Sequence, residues 1–187
     1  DARRIADRTE RKIEARVRVL DQYLEKARET DAYGLMDLND IPDDMVIYKY
    51  VNDSLQSWCN QFSIINDDIS ARLVFQRLTD QKSTIVSPLS EVSEDLSYMN
   101  LGPKWYIVKS VDIQNGVRII AGIEILNTLI EGQHRTENGV NPVLNLPRRY
   151  SIVPLSISNG SEVSIQGKPL FKIVYDADYS SPTFDNS

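Results

Sequence analysis

The residues of this chain that could do chemistry are few and scattered. Its one histidine, His134, stands in a Gly-Gln-His-Arg stretch with no candidate triad nearby in sequence, and reads as a solvated loop side chain rather than a base. Asp67-Asp68 lacks the alternating Asp or Asn ligands and the closing Glu of a calcium loop, so capping of a helix is the plainer reading. The lone cysteine, Cys59, leaves no partner for an internal disulfide and no multi-cysteine zinc site, and is expected to be a small buried side chain rather than a reactive thiol. There is no P-loop lysine motif and no Gly-rich loop that opens a helix after a strand. The expectation is therefore no catalytic residue, no metal ligand and no cofactor. A hydrolase built from dispersed groups would instead need a cleft holding two carboxylates with separated pKa values.

What remains is aromatic. The stretch "YKYVNDSLQSWCNQF", Tyr48 to Phe62, reads as a strand, a polar turn closed by side-chain to backbone hydrogen bonds, and a returning strand. Tyr48, Tyr50 and Trp58, with Trp105 and Tyr106 of "KWYIV", read first as core and second as the frame of a cavity for a small ligand. Arg118 and Glu124 share one face of a strand with Ile120 and Gly122. They either pair across the sheet, the plainer choice, or point into a pocket. The candidate ligand-binding set is thus Tyr48, Tyr50, Trp58, Trp105, Tyr106 and Arg118.

These side chains need elements to hold them. "RRIADRTERKIEARVRVLDQYLEKARET" has no Gly or Pro and good helix formers throughout, which predicts a long helix from Ala2 to Glu29, stopped by Tyr33-Gly34. Ala6, Ile13, Val17, Leu20, Leu24 and Ala27 form an a/d seam, interrupted at Arg3 and Glu10. That seam either packs on the chain's own sheet or meets a second copy in a parallel pair. Asp7 with Arg11 and Glu14 with Arg18 lie one turn apart on the solvated face. After the first hairpin, "NDDISARLVFQRLTD" predicts a helix, and "SPLSEVSEDLSYM" a second short one with Ser87 as cap and Pro88 at its first position. "KWYIVKSVDI", "QNG" and "VRIIAGIEIL" predict a hairpin covered on both faces. "RYSIVPLSIS", "SEVSIQ" and "PLFKIVYD" predict a closing meander, with Pro154 at an edge or bulge. The order gives an α+β fold, helix on a mainly antiparallel sheet of five to seven strands.

The 187 residues are expected to form one domain, with a helix over residues 1–30, a body over 45–176 and a linker-like tail over 177–187. Charge is uneven: nine basic and seven acidic residues precede Asp31, twelve basic and twenty acidic follow, and the net is −6. An acidic body argues against nucleic-acid binding, which calls for a basic stripe. No apolar run approaches the roughly 20 residues of a membrane span. A sequence that opens inside a helix without methionine or signal-peptide pattern is expected to be a piece of a longer protein.

Three features together, the long helix, "IYKYVNDSLQSW" and "GPKWYIVKSVDIQNGVRIIAGIEIL", resemble the extracytoplasmic sensor regions of Bacteroides-type membrane sensor histidine kinases. The resemblance spans about Ala2 to Asp176, and its specific part lies in "NDSLQSWCNQ" and "KWYIV". Cys59 stands where that pattern has serine, and Gly102-Pro103-Lys104-Trp105 carries one residue more than its Gly-x-Trp-Tyr. The resemblance implies a PAS-like or Cache-like fold on the periplasmic side of the inner membrane, tethered by membrane helices on either side. It implies an unknown small-molecule or protein signal, a homodimer in the full receptor, and kinase chemistry elsewhere in the parent protein. A secreted or surface protein-interaction module is the alternative, and a large exposed apolar patch without a cavity would favour it.

Overall fold

The computed structural model describes residues 1–64, 71–76, 84–131 and 138–176. Their contacts group into two compact units, Val17–Glu124, and Asp1–Arg16 together with Ile125–Ser187. The protein is α+β, a long helix on mainly antiparallel sheet. Helix α1 runs from Ala2 to Arg28, and its seam residues are buried at every position.

In the unit Val17–Glu124 the strands are β1 (Met45–Val51), β2 (Ser54–Cys59), β3 (Val74–Gln76), β4 (Thr84–Val86), β5 (Ser97–Leu101), β6 (Lys104–Ile113) and β7 (Val117–Asn127), the last running on into the other unit. Five of them form one sheet in the order β2-β1-β7-β6-β5, while β3 and β4 pair with each other. Both expected hairpins are present, and their turns explain why. Asn52 and Asp53 both have positive φ (49° and 65°), as do Asn115 and Gly116 (69° and 74°), which is what a tight turn between twisted strands requires. The two turns touch: Asn52 N donates to Gly116 O at 2.9 Å, and a Cβ on Gly116 would collide with Asn52 Oδ1. β1 is buried along its whole length, and β7 nearly so, as expected for strands covered on both faces.

Several expectations are corrected. β2 ends at Cys59 rather than Phe62, because Asn60 turns the chain with φ 58°. Of the helix expected over "NDDISARLVFQRLTD", Ala71 is helical, but the rest of its described part does not continue it. Residues 65–70 and 77–80 lie outside the described residues, but Val74–Gln76 is a strand paired with Thr84–Val86, and Leu73 N donates to Asp53 O. A Leu-Val-Phe run with β-branched and aromatic members pairs readily once the first hairpin supplies an anchor. Ser87 caps as expected, accepting from Leu89 N at 3.2 Å, yet the helix is a single 3-10 turn, Pro88–Glu91, and Ser97–Leu101 is one of the sheet's two edge strands. α1 stops at Arg28, short of the Tyr33-Gly34 signal. Asp7 pairs with Arg3, at 2.8 Å, and not with Arg11.

The other unit holds a three-stranded antiparallel sheet of β8 (Tyr150–Val153), β9 (Ser161–Ile165) and β10 (Lys168–Tyr175). Its order, β8-β10-β9, is not the sequential meander expected: β9 and β10 form the hairpin and β8 adds to the far side of β10. β8 stops immediately before Pro154, which has no N–H to continue a ladder. The first turns of α1 are tied to this unit by Arg3 Nη2 donating to Glu162 O and Ser164 N donating to Glu10 Oε1, both at 2.9 Å. Arg3 and Glu10, the two interruptions of the seam, therefore have structural partners.

Candidate functional site

In an antiparallel sheet, residues directly opposite one another share a face. Tyr48 opposes Trp58 on β2 and Ile120 on β7; Tyr50 opposes Leu55 and Arg118; Val46 opposes Gly122. A β-bulge between Lys49 and Tyr50 brings Leu55, rather than Gln56, opposite Tyr50, and so keeps an apolar side chain on this face. The face is covered by Phe62, Leu73, Leu89 and Val92, which with Tyr48, Tyr50, Tyr106, Val108 and Ile120 make one apolar cluster.

At the β2 edge of this face is a cavity of about 240 Å³. Tyr48 and Phe62 line it from the core side, Leu55 and Trp58 from β2, and Gln61, Ile64 and Ala71 from the chain beyond. The aromatic rings form a chain: Tyr48 and Phe62 meet edge to face with centroids 5.0 Å apart, and Phe62 and Tyr106 do so at the same distance. Two phenols also hold the backbone that carries Phe62. Phe62 N donates to the Tyr48 hydroxyl at 3.1 Å, and Ser63 N to the Tyr106 hydroxyl at 3.0 Å. Burial pushes the Tyr106 phenol up to about 12, although the hydrogen bond from Ser63 works against this, and burial raises Tyr50 further still. Gly122 makes the seat for Phe62, since a Cβ there would lie 2.6 Å from Cε1 of the ring.

Of the six expected ligand-binding residues, two line the cavity: Tyr48 and Trp58. Tyr50 and Tyr106 are buried behind it. Trp58 is 51% exposed, which corrects the expectation of a buried core residue: it sits on an edge strand with the cavity beside it. Trp105 is half-buried away from the cavity, stacked on Tyr98 with centroids 4.8 Å apart. Arg118 is committed to the fold. Its guanidinium donates to the carbonyls of Ser90, at 3.2 Å, and Val92, and Nε lies 3.4 Å from Asp112 Oδ1, an ion pair without hydrogen-bond geometry. Glu124 pairs with Lys104 on the neighbouring strand at 2.6 Å, so both charged residues of β7 pair across the sheet. His134, Asp67 and Asp68 lie outside the described residues. Cys59 is half-buried, and burial raises its thiol pKa, the wrong direction for a nucleophile.

The seam is also corrected as a dimer contact. Ala6, Ile13, Val17, Leu20, Leu24 and Ala27 are buried within this chain, so they pack on its own structure and are not available to a second copy.

The sequence reading missed Leu55, Gln61, Phe62, Ile64 and Ala71 as lining, and it missed Lys49. That lysine is 1% exposed in the middle of β1, on the face opposite Tyr48 and Tyr50. Its ammonium donates to Thr30 Oγ1 at 3.1 Å and to the carbonyl of Asp31, just past the C-terminal end of α1, where carbonyls lack helical partners and favour a cation. Burial lowers its pKa, and the charge of Asp31 partly restores it. A lysine inside an otherwise apolar strand was the available signal.

A more open depression of about 400 Å³ in the other unit is lined by Asn159, Gly160, Ser161 and Tyr175 among others, with no charged side chain among the described residues of its lining. No group of His, Cys, Asp or Glu among the described residues is arranged to hold a metal ion, and no described helix is long and apolar enough to cross a membrane. Comparison of the chain with protein-family models, curated proteins and solved structures gives no match.

Proposed function

We propose that this chain is the extracytoplasmic signal-sensing domain of a two-component sensor histidine kinase, on the periplasmic side of the inner membrane, with the aromatic cavity beside β2 as its ligand site. The observation that carries the reading is the pairing of that cavity with Lys49 through one strand. Tyr48 lines the cavity, and its neighbour Lys49 points to the opposite face and holds the end of α1. A ligand that shifts Tyr48 thus bears on the helix by way of a single residue step. Such a ligand moves the equilibrium between two arrangements only by its difference in affinity for them. Among the described residues that line the cavity none is charged, and aromatic and aliphatic side chains predominate, which suits binding rather than acid–base turnover.

Under this proposal the receptor is a homodimer whose contact lies on surfaces other than the buried seam. Exposed Tyr33 and Leu35, 68% and 78% accessible, favour a second reading, a secreted or surface protein-interaction module. The deciding experiment is to express the full-length parent protein in membranes and supply ATP. Acid-labile phosphate on a histidine supports the sensor kinase; a parent protein without it leaves the interaction module.

A further inference from the structure

We propose that Lys49 is a two-position latch: its ammonium holds the end of α1 in one state and passes to Ser57 Oγ on β2 in the other, letting the segment 29–38 lift from the sheet. The inference rests on the ligand-sensing reading above and names its moving part.

The strand register puts the second position within reach. Lys49 stands directly opposite Ser57 in the β1–β2 ladder, so the two share a face, with Cβ atoms about 5 Å apart as in any such pair. Ser57 is 5% exposed, and its hydroxyl finds no hydrogen-bond partner among the described residues. A buried hydroxyl left unpaired gives up its hydration without return, and in a folded protein such a group asks for an explanation. A lysine directly across supplies one, because rotation about its flexible four-carbon stem carries the ammonium from one acceptor to another.

In the observed position the ammonium faces three acceptors: Thr30 Oγ1 at 3.1 Å, Thr30 O at 3.5 Å and the carbonyl of Asp31. Thr30 Oγ1 in turn donates to Ala27 O at 2.6 Å, and Gly34 N donates to the same Asp31 carbonyl at 2.9 Å. One side chain thus secures both the last turn of α1 and the turn that follows it. β2 adds lighter ties to the same segment, since Gln56 Nε2 donates to Tyr33 O at 3.4 Å in an exposed setting and the Cys59 sulfur is hydrogen-bonded to the Leu38 backbone. Burial works against the charge of Lys49, so its ammonium leaves these acceptors readily only where another waits. Three acceptors against one make the observed position the major state, and Ser57 makes the other reachable. A ligand that moves Tyr48, the next residue of β1, shifts the balance between them.

The test is native-state hydrogen exchange of the 187-residue chain, read by NMR at the amides of Thr30 and Gly34, with Ser110, bonded to Ser93 O, as the reference. Ser57→Ala abolishes the second position and should slow Thr30 and Gly34 about threefold or more while leaving Ser110 unchanged. Lys49→Met removes the latch and should speed both about tenfold or more, and adding Ser57→Ala to it should change neither further. Exchange at Thr30 and Gly34 that is unchanged or faster in Ser57→Ala, or slowed equally at Ser110, would overturn the latch, and this comparison decides alone should Lys49→Met fail to fold. The sensing reading is judged separately, by histidine phosphorylation in the full-length protein. Slowed exchange with unaltered phosphorylation in Ser57→Ala keeps the latch and takes the moving part from that reading, whereas altered phosphorylation with unchanged exchange keeps the reading and rejects the latch.

Discussion

Replacing Gly122 with alanine tests the packing on which the cavity depends. In most strands such a change helps, because glycine costs about 0.5–1 kcal/mol relative to alanine. Here the added Cβ would stand 2.6 Å from Cε1 and 3.0 Å from Cζ of Phe62, with Val108 Cγ1 at 3.4 Å. The ring cannot swing away freely, since Tyr48 and Tyr106 hold it on both sides with centroids 5.0 Å distant and its own N–H is bonded to the Tyr48 hydroxyl. Overpacking of this kind costs about 1–3 kcal/mol. Set against the usual gain, the net loss is about 1–2 kcal/mol, or a fall in melting midpoint of about 2–8 °C for a chain of this size. Urea unfolding followed by tryptophan emission reads the relevant unit, because Trp58 and Trp105 both lie within Val17–Glu124. In a Phe62→Leu background the same alanine should be tolerated, giving a coupling of about 1 kcal/mol or more between the two sites. A neutral or stabilising Gly122→Ala, or an equal penalty with and without the ring, would refute the reasoning.

Trp58→Ala should cost under about 1.5 kcal/mol while Phe62→Ala costs about 3–5, because only the second ring is buried; equal losses in urea unfolding would put Trp58 in the core after all. Arg118→Met should cost about 2–4 kcal/mol, since the carbonyls of Ser90 and Val92 lose a charged donor, and 3-10 turn amides should exchange faster with deuterium; unchanged exchange would contradict the anchoring role. The Tyr106 phenol, raised from 10 to about 12 in the folded state, is neutral in both states below about pH 10, so its contribution is fully present there and is lost as pH rises through 12. Tyr106→Phe should therefore lessen the fall in urea midpoint between pH 9 and 11, and an identical fall in both proteins would contradict the burial.

How far the sequence could be read depended on whether the deciding interaction was local. Asn52-Asp53 and Asn115-Gly116 announce their turns because positive φ at adjacent positions is a property of the turn itself. Ser87 announces its cap for the same reason, but nothing in "SEVSEDLSYM" fixes where the turn ends, and Ser97–Leu101 is a strand only because β6 lies beside it. The strand order β8-β10-β9 likewise depends on pairing across the unit and leaves no local trace. The heptad spacing of α1 correctly marks its buried face, yet spacing is blind to whether sheet or second helix does the covering. As for the cavity, Tyr48 and Trp58 were visible as aromatics in a hairpin. Gln61, Ile64 and Ala71 join them only through the path of the chain beyond β2, which no periodicity encodes.

The central claim, that occupancy of the cavity beside β2 sets the state of a histidine kinase, is tested most directly by filling the cavity in the parent protein. Ala71→Trp in the full-length chain, in membranes with ATP, should change the rate of histidine phosphorylation several-fold and leave it unresponsive to any added molecule that alters the unmodified protein. Phosphorylation that keeps both its rate and its response with the cavity filled would contradict the account.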